Sequence, residues 1–135
     1  MKLLPDTNIL VYETVEDSEH HEEAIGIIDG AKEIYIPSIV IHEYIWVMLR
    51  LVGASPDFVA QKLQEYFEDP RITYVLEPKI VILNALHMLE VDGENVKEVN
   101  DYIILAMALH HGLVLATYDK KLRRRASKLG LKVIP

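Results

Sequence analysis

The sequence has 135 residues, half of them apolar, which is enough to build one domain around a single hydrophobic core. It contains no cysteine, which excludes disulfides, thiolate metal sites and thiol nucleophiles and suits a reducing compartment. No apolar stretch reaches the roughly 18 residues that a membrane span needs, and no N-terminal segment resembles a signal peptide. We therefore expect a soluble cytoplasmic protein that folds as one domain over residues 1–135.

The net charge of −7 by itself disfavours a nucleic-acid partner, because proteins that bind polyanions are usually basic. The charge is unevenly distributed, however. Half of the fourteen Lys and Arg residues lie in the segment 120–132, and no acid follows Asp119. Arg123, Arg124 and Arg125 stand in the middle of this segment. Contact between these arginines and an RNA backbone is one hypothesis, and a solvated helix surface is the alternative.

Short apolar runs bounded by turn or cap residues predict five β-strands, at 2–4, 34–36, 72–76, 113–116 and 131–134. Apolar residues at helical spacing predict helices at 20–31, 39–52, 57–68, 78–89, 96–111 and 119–129. Ser38 is the expected cap of the second of these helices, and Gly53 is expected to end it. Because proline has no amide to donate, the first strand is expected to end before Pro5. Strands that alternate with helices indicate an α/β fold, with a parallel sheet covered by helices on both faces.

Four carboxylates occupy positions from which they can meet at one edge of this sheet. Asp6 follows the first predicted strand and Asp119 follows the fourth, and ligands of open α/β sheets collect beyond the carboxyl ends of the strands. Glu43 lies in the first two turns of the helix after the second strand. Asp101 lies in the first half of the helix before the fourth strand. If these helices run back across the sheet, all four acids share one crevice.

Glu43 and Asp101 both have apolar neighbours on their helix faces, where a charged carboxylate is costly unless it is paired or bound to a metal. Oxygen ligands without Cys or His suit Mg²⁺ or Mn²⁺. Two such ions in a carboxylate cluster can activate a water for attack on a phosphodiester. The sequence therefore predicts a catalytic metal site.

Each acid also has a plainer interpretation. Asp6 and Asp119 are suitable helix caps, and Asp101 is favoured by the dipole at the start of its helix. Glu43 has Arg50 two turns along its own helix, although the helix rise of about 10 Å makes direct contact awkward. The metal hypothesis therefore depends on the four acids coming together.

The motifs around these acids resemble those of the PIN-domain nucleases. They are Asp6-Thr7-Asn8 after a strand, Pro37-Ser38 leading to Glu43, Asn100-Asp101 leading to Ala106, and Thr117-Tyr118-Asp119 after a strand. Their order, strand placement and spacing over the whole chain are most similar to those of the VapC toxins of type II toxin–antitoxin systems. The resemblance extends from Leu3 to Val133.

The resemblance implies a single three-layer PIN-like domain with a five-stranded parallel sheet. It also implies an endoribonuclease that depends on Mg²⁺ or Mn²⁺, hydrolyses RNA phosphodiester bonds and leaves a 3′-hydroxyl. Toxins of this kind are usually homodimers that a small antitoxin protein holds inactive. Two positions depart from the family pattern. Pro5 replaces the usual aliphatic residue before the first Asp, and Leu122 stands where some members carry a further acid.

Residue by residue, the resemblance assigns three kinds of role. The catalytic and metal-binding acids are Asp6, Glu43, Asp101 and Asp119. The hydroxyl residues that orient these acids are Thr7 and Thr117, and Asn8 matches a polar residue beside the first acid.

Other functions remain open at this point. A non-catalytic PIN-fold module for protein or RNA interaction and a housekeeping RNA-processing nuclease are both compatible with the same motifs. A phosphoacceptor receiver domain would need a pair of acids after the first strand and a lysine after the last one. Here Asp6 is alone after the first strand, and the last strand ends in Ile134 and Pro135.

Overall fold

The computed structural model describes all residues from Met1 to Pro135. Five strands alternate with seven α-helices. The strands are β1 (Lys2–Pro5), β2 (Glu33–Pro37), β3 (Ile72–Val75), β4 (Val114–Ala116) and β5 (Val133–Ile134). The helices are α1 (Thr7–Thr14), α2 (His21–Asp29), α3 (Ser38–Val47), α4 (Pro56–Glu68), α5 (Lys79–Asp92), α6 (Val99–His111) and α7 (Lys120–Lys128).

All five strands run parallel in one sheet, in the order β3-β2-β1-β4-β5. Right-handed crossovers place α1 to α4 on one face and α5 to α7 on the other. The helix contacts agree with this division, because α1 packs on α2 and α3 whereas α6 packs on α5 and α7. The structure confirms the predicted α/β fold with a parallel sheet and helices on both faces.

The hydrophobic core is continuous from one helical layer to the other. A single cluster of 31 buried apolar residues includes Leu3 and Leu4 of β1 and Leu115 of β4, all fully buried. Strands covered on both faces are expected to be apolar throughout, as these are. The buried central strands fix the edge of the sheet where the functional side chains project. None of the helices has the length and apolar character that a membrane-spanning segment requires.

The first strand continues one residue further than predicted, because Pro5 pairs with Ala116 of β4. Amides alternate between the two sides of a strand, and the amide of Asp6 donates to the Ala116 carbonyl at 2.8 Å. The nitrogen of Pro5 therefore faces β2, where pairing has already ended at Leu3 and Ile34. No ladder hydrogen bond is lost, which explains why this central strand tolerates proline.

The predicted helix at 39–52 is an α-helix only as far as Val47, and a π-helical turn, Met48–Val52, completes it before Gly53. The cap also differs from the prediction. Ser38 is the first helical residue, and its hydroxyl and the amide of Ile39 both donate to the carboxylate of Glu77. An acid that is distant in sequence thus replaces the expected local cap.

Helix α5 ends three residues later than predicted, because Leu89 is the last buried apolar residue but not the last helical one. The helix ends where Gly93 adopts a left-handed conformation with φ of 63°. Glycine reaches this conformation without strain, so Gly93 is the true stop signal.

Candidate active site

Four carboxylates from four separate elements line one open cleft at the carboxyl edge of the sheet. Asp6 and Asp119 follow the adjacent strands β1 and β4, while Glu43 and Asp101 come from α3 and α6, which contact each other. The cleft has a volume of about 340 Å³, and its other lining residues are Thr7, Asn8, Val11, Tyr12 and Val47. The structure thus brings together the four acids that the sequence places far apart. We call this the acid cleft.

Asp6 is the most buried of the four acids and is held by three hydrogen bonds. The amide of Thr7 donates to Oδ1 at 2.8 Å, and the hydroxyl of Thr117 donates to Oδ2 at 2.7 Å. The amide nitrogen of Asn8 lies 3.3 Å from the same Oδ2. These bonds come from α1 and from the segment after β4, so both flanks of the cleft fix the orientation of Asp6.

Thr117 connects Asp6 with Asp119. Its buried hydroxyl donates to Asp6 and accepts a hydrogen bond of 3.0 Å from the amide of Asp119. Oδ1 of Asp119 accepts from the amides of Lys121 and Leu122 and so caps α7. Oδ2 of Asp119 has no bond within the chain. Capping and binding of a ligand therefore use different oxygens of this carboxylate.

Thr7 contributes to the site differently from Thr117. Its backbone amide contacts Asp6, whereas its buried hydroxyl has no hydrogen-bond partner. Asn8 connects the two flanks, since its Oδ1 accepts from the amide of Tyr118 at 3.3 Å. The three supporting residues that the sequence singles out thus all border Asp6, and only Thr117 acts through its hydroxyl.

The acids of the cleft are held in an environment that disfavours their charged forms. Burial, and the negative charge of Asp6, raise the pKa of Glu43 to about 7. Burial and the charges of Asp6 and Asp119 raise the pKa of Asp101 to about 7. Burial also raises the pKa of Asp6, although its hydrogen bonds from Thr117 and Thr7 oppose that effect. Like charges brought together in a desolvated cleft produce these shifts.

Glu43 is without a partner in this environment. Its Oε1 is buried and accepts no hydrogen bond, and the ion pair with Arg50 that the sequence left open does not form. A buried carboxylate oxygen without a donor is unfavourable unless a cation or a proton compensates it.

A divalent cation fits this donor set. The cleft offers hard carboxylate oxygens, an orphaned oxygen of Glu43 and mutual repulsion that a cation would relieve. As the side chains stand, no three acids have the close arrangement of a formed metal site. Binding of an ion by three of these acids would therefore require their side chains to move closer together.

The three consecutive arginines of α7 have three different environments. Arg123 donates to the carbonyl of Thr117 at 3.1 Å, and Arg124 is exposed and makes no ion pair. The side chain of Arg125 is only 12% exposed, and it lies 3.1 Å from Glu98 and 3.5 Å from Glu94. Only Arg124 therefore has its guanidinium free for a ligand.

Arg125 also approaches the acid cleft from outside. Its Nη1 lies 3.7 Å from Oδ2 of Asp101, and its guanidinium is 5.0 Å from the centre of the Tyr102 ring. This separation from Asp101 is too long for a hydrogen bond. The raised pKa of Asp101 accordingly reflects burial and the neighbouring acids rather than this cation.

Sequence reasoning missed Val11 and Val47 in the walls of the cleft, and it favoured core packing over base stacking for Tyr12. Val11 and Tyr12 follow Asn8 on α1 at spacings of three and four, and Val47 follows Glu43 on α3 at a spacing of four. Residues at these spacings share a helix face. That periodicity is the signal that could have identified them.

The fold and the acid cleft define the class of this protein as an α/β domain with an acidic centre at the carboxyl edge of its sheet. The family model of the PIN domain matches residues 3–128, nearly the whole chain. The chain belongs to the PIN domain family, the family that its motifs resemble. No curated protein matches the sequence significantly.

Solved structures with the same fold include several toxin–antitoxin proteins. The chain is similar to Mycobacterium tuberculosis VapC20, a sarcin-ricin loop cleaving toxin, with a TM-score of 0.79 and 12% identity over 91% of this chain and 94% of that one. DNA-bound VapBC from Salmonella typhimurium gives a TM-score of 0.70 and 19% identity, over 98% and 96% of the two chains. VapBC2 from Rickettsia felis, bound to a promoter DNA fragment, gives 0.68 and 20%, over 98% and 97%. At these identities the similarity shows a shared fold.

Proposed function

We propose that this PIN-domain protein is an endoribonuclease that depends on Mg²⁺ or Mn²⁺ and acts as the toxin of a type II toxin–antitoxin pair. The observation that carries the proposal is the convergence of Asp6, Glu43, Asp101 and Asp119 on one cleft in which no cation of the chain lies within hydrogen-bonding distance of them. Buried like charges destabilise the folded protein, and a bound divalent ion would neutralise them. Binding of such ions is therefore a function that explains why the acids lie together.

The four acids would hold the ions, and the ions when bound would supply an activated water and neutralise charge on the phosphate. The chain's own contribution is orientation. Thr117 and the amide of Thr7 fix both oxygens of Asp6, and the amides at the start of α7 fix Oδ1 of Asp119. Val11 and Val47 give the cleft apolar walls, which reduce competition from bulk water.

The basic character of helix α7 supports the proposal that the substrate is a polyanion. It begins directly after Asp119, so its exposed cations lie beside the acid cleft. Arg124 is the arginine best placed to contact an RNA backbone, because Arg123 and Arg125 already bind groups of the chain. A chain of net negative charge can in this way still attract RNA to one face.

The proposed partners are a small antitoxin and a second copy of the chain, in the cytoplasm. Structural neighbours solved as toxin–antitoxin complexes support the first. Large apolar side chains that α5 exposes support a protein interface, since Ile80, Leu83 and Leu86 are 49 to 63% exposed. The alternatives are a housekeeping RNA-processing nuclease and a non-catalytic interaction module.

Cleavage of RNA with and without Mg²⁺ tests the catalytic proposal. We expect the wild type to cleave only with the ion, and Asp6→Asn and Asp101→Asn to lose at least the roughly 10- to 100-fold that loss of a ligand-supporting residue costs. Asp57→Asn, an exposed acid of α4, is the matched control and should retain full activity. Cleavage that persists in both cleft variants, or no cleavage by the wild type, would contradict the proposal.

Expression in cells separates the toxin from a housekeeping nuclease. The toxin arrests growth, and Asp101→Asn relieves the arrest. An upstream antitoxin gene should restore growth when it is coexpressed. Normal growth on expression of an active wild-type enzyme would favour the housekeeping role.

A further inference from the structure

A second groove runs beside the acid cleft and shares Glu43 and Val47 with it. It has a volume of about 390 Å³, and its remaining lining residues are Ile39, His42, Trp46 and Asn100. All the lining residues except Asn100 recur along α3 at spacings of three and four, which places these five on one face of the helix. The groove therefore continues the acid cleft along α3, with Asn100 facing α3 from the start of α6.

Trp46 is the dominant feature of this groove. Its side chain is 55% exposed, and it stacks on no other aromatic ring of the chain. Tyr12 and Tyr118, in contrast, already pack edge to face with each other near the cleft, with centroids 5.3 Å apart. An exposed ring with no aromatic neighbour is available to stack on a planar ligand.

The polar groups of the groove are also unused. The side chains of His42 and Asn100 make no hydrogen bond within the chain, and both lie at the groove with Trp46. A planar aromatic ring with an amide and an imidazole at its edge matches the chemistry of a nucleobase. Unpaired bases stack on aromatic side chains and present hydrogen-bonding edges to polar ones.

We propose that this groove binds the base of a nucleotide that flanks the scissile phosphate, with Trp46 as the stacking platform. The inference rests on the proposed ribonuclease function, since a phosphate held at the acid cleft brings its neighbouring base to the shared wall of Glu43 and Val47. Trp46 would restrict the substrate to RNA whose bases are unpaired, and Asn100 and His42 would contact the base edge. The continuity of groove and cleft favours an RNA base over a side chain of another protein.

The test exploits a property of the sequence, because Trp46 is the only tryptophan of the chain. Intrinsic tryptophan fluorescence therefore reports on this groove alone. The probes are short single-stranded oligoadenylate, oligouridylate and an abasic ribose-phosphate chain of equal length. Each is titrated into the full-length protein with Mg²⁺, and cleavage is followed in the same samples.

We expect the two RNAs to quench the fluorescence, with adenylate the stronger quencher, and the abasic chain to leave it unchanged. Trp46→Ala should weaken RNA binding about tenfold, and Trp46→Phe should recover most of the loss because its ring still stacks. Phe67→Ala is the matched control, since Phe67 on α4 is 47% exposed but lies outside both grooves. It should bind RNA as the wild type does.

Three results would overturn the inference. If RNA is bound and cleaved without a change in fluorescence, Trp46 is not a stacking site, but the proposed ribonuclease function still holds. If RNA is neither bound nor cleaved, both the stacking site and the proposed ribonuclease function are contradicted. A Trp46→Ala variant that changes oligomeric state in sedimentation, with unaltered RNA affinity, would assign the tryptophan to a protein interface instead.

Discussion

Two groups of carboxylates lie close to the start of α6, and they differ in whether a cation of the chain is hydrogen-bonded to them. Glu94 and Glu98 surround Arg125, and the hydrogen bond from this arginine lowers the pKa of Glu98. We call this group the arginine cluster. In the acid cleft, Glu43 and Asp101 have raised pKa values and no cation at hydrogen-bonding distance. The chain supplies a hydrogen-bonded cation to the first group, whereas the cation nearest to the second is Arg125, 3.7 Å from Asp101.

This difference supports the proposal that the acids of the cleft are functional and that those of the arginine cluster are structural. In the arginine cluster, each acid has a partner that the sequence encodes, and the pairing fastens α7 to the segment before α6. In the acid cleft, the polar contacts orient Asp6 and Asp119 but do not neutralise them. Perturbed pKa values that arise from burial and like charges in a cleft are typical of functional sites.

The largest expected effect of this difference is on how the stability of the fold changes with pH. A raised pKa in the folded state means that Glu43 and Asp101 ionise in the unfolded chain at lower pH than in the folded protein. The metal-free protein should therefore lose stability as pH rises from about 4 to about 7 and change little above that. The paired acid Glu98 has the opposite sign, but its contribution is complete at lower pH.

Thermal denaturation with EDTA or with Mg²⁺ measures this effect. We expect the Tm in EDTA to fall by several degrees between pH 5 and pH 8, and Mg²⁺ to restore it at pH 8 but not at pH 5. The double variant Glu43→Gln, Asp101→Asn should have a flatter profile in EDTA. An identical Tm at both pH values in EDTA would contradict the raised pKa values.

Removal of Arg125 should destabilise the fold much more than removal of its neighbour. Arg125→Met leaves Glu94 without a cation and leaves Glu98 with only the exposed Lys121, 3.4 Å away, so we expect the free energy of unfolding to fall by roughly 1–3 kcal/mol. Arg124→Met is the matched control, because this arginine is exposed and unpaired. Equal midpoints of the two variants in urea denaturation would show that the arginine cluster does not contribute to the stability of the folded protein.

Thr117→Val should damage the cleft while it preserves the shape of the side chain. The variant removes the hydroxyl that donates to Asp6 and accepts from the amide of Asp119. We expect RNA cleavage to fall roughly 10- to 100-fold and the Mn²⁺ affinity to fall with it. Thr117→Ser should keep most of the activity, and Thr73→Val on exposed β3 should change nothing. Full activity of Thr117→Val would show that the hydroxyl is not needed to orient the acids.

The smallest effect is expected from Arg124→Ala. If Arg124 contacts an RNA phosphate, the variant should lower the slope of log affinity against log salt by about 1. The control is Lys32→Ala, an exposed cation at the opposite edge of the sheet. An unchanged slope would leave Arg124 as a solvated residue of the helix surface.

The fold and the meeting of the four acids could be predicted because each depends on local rules. Strand ends in a parallel sheet share an edge, so the positions of Asp6 and Asp119 follow from the alternation of strands and helices. The family resemblance added the helical acids Glu43 and Asp101 to the same site. Helices on both faces then followed from right-handed crossovers, whereas the strand order came only from the structure.

Most of the features that could not be predicted depend on three-dimensional packing rather than on a local sequence pattern. Glu77 caps α3 across 38 residues, from Glu77 to Ile39, and no local pattern announces such a contact. The sequence likewise gives three equivalent arginines, whereas packing pairs Arg125, leaves Arg124 free and binds Arg123 to a carbonyl. Thr7 acts through its backbone amide, which every residue except proline possesses, so its side chain gave no reliable signal.

A crystal of the protein soaked with Mn²⁺ would test the central claim most directly. The account predicts an anomalous difference peak in the acid cleft, at about 2.2 Å from oxygens of Asp6 and at least one of its partner acids. It also predicts that Glu43 and Asp101 close on the ion, and that no peak lies at the arginine cluster. An empty cleft at saturating Mn²⁺, or ions bound only elsewhere, would contradict the account.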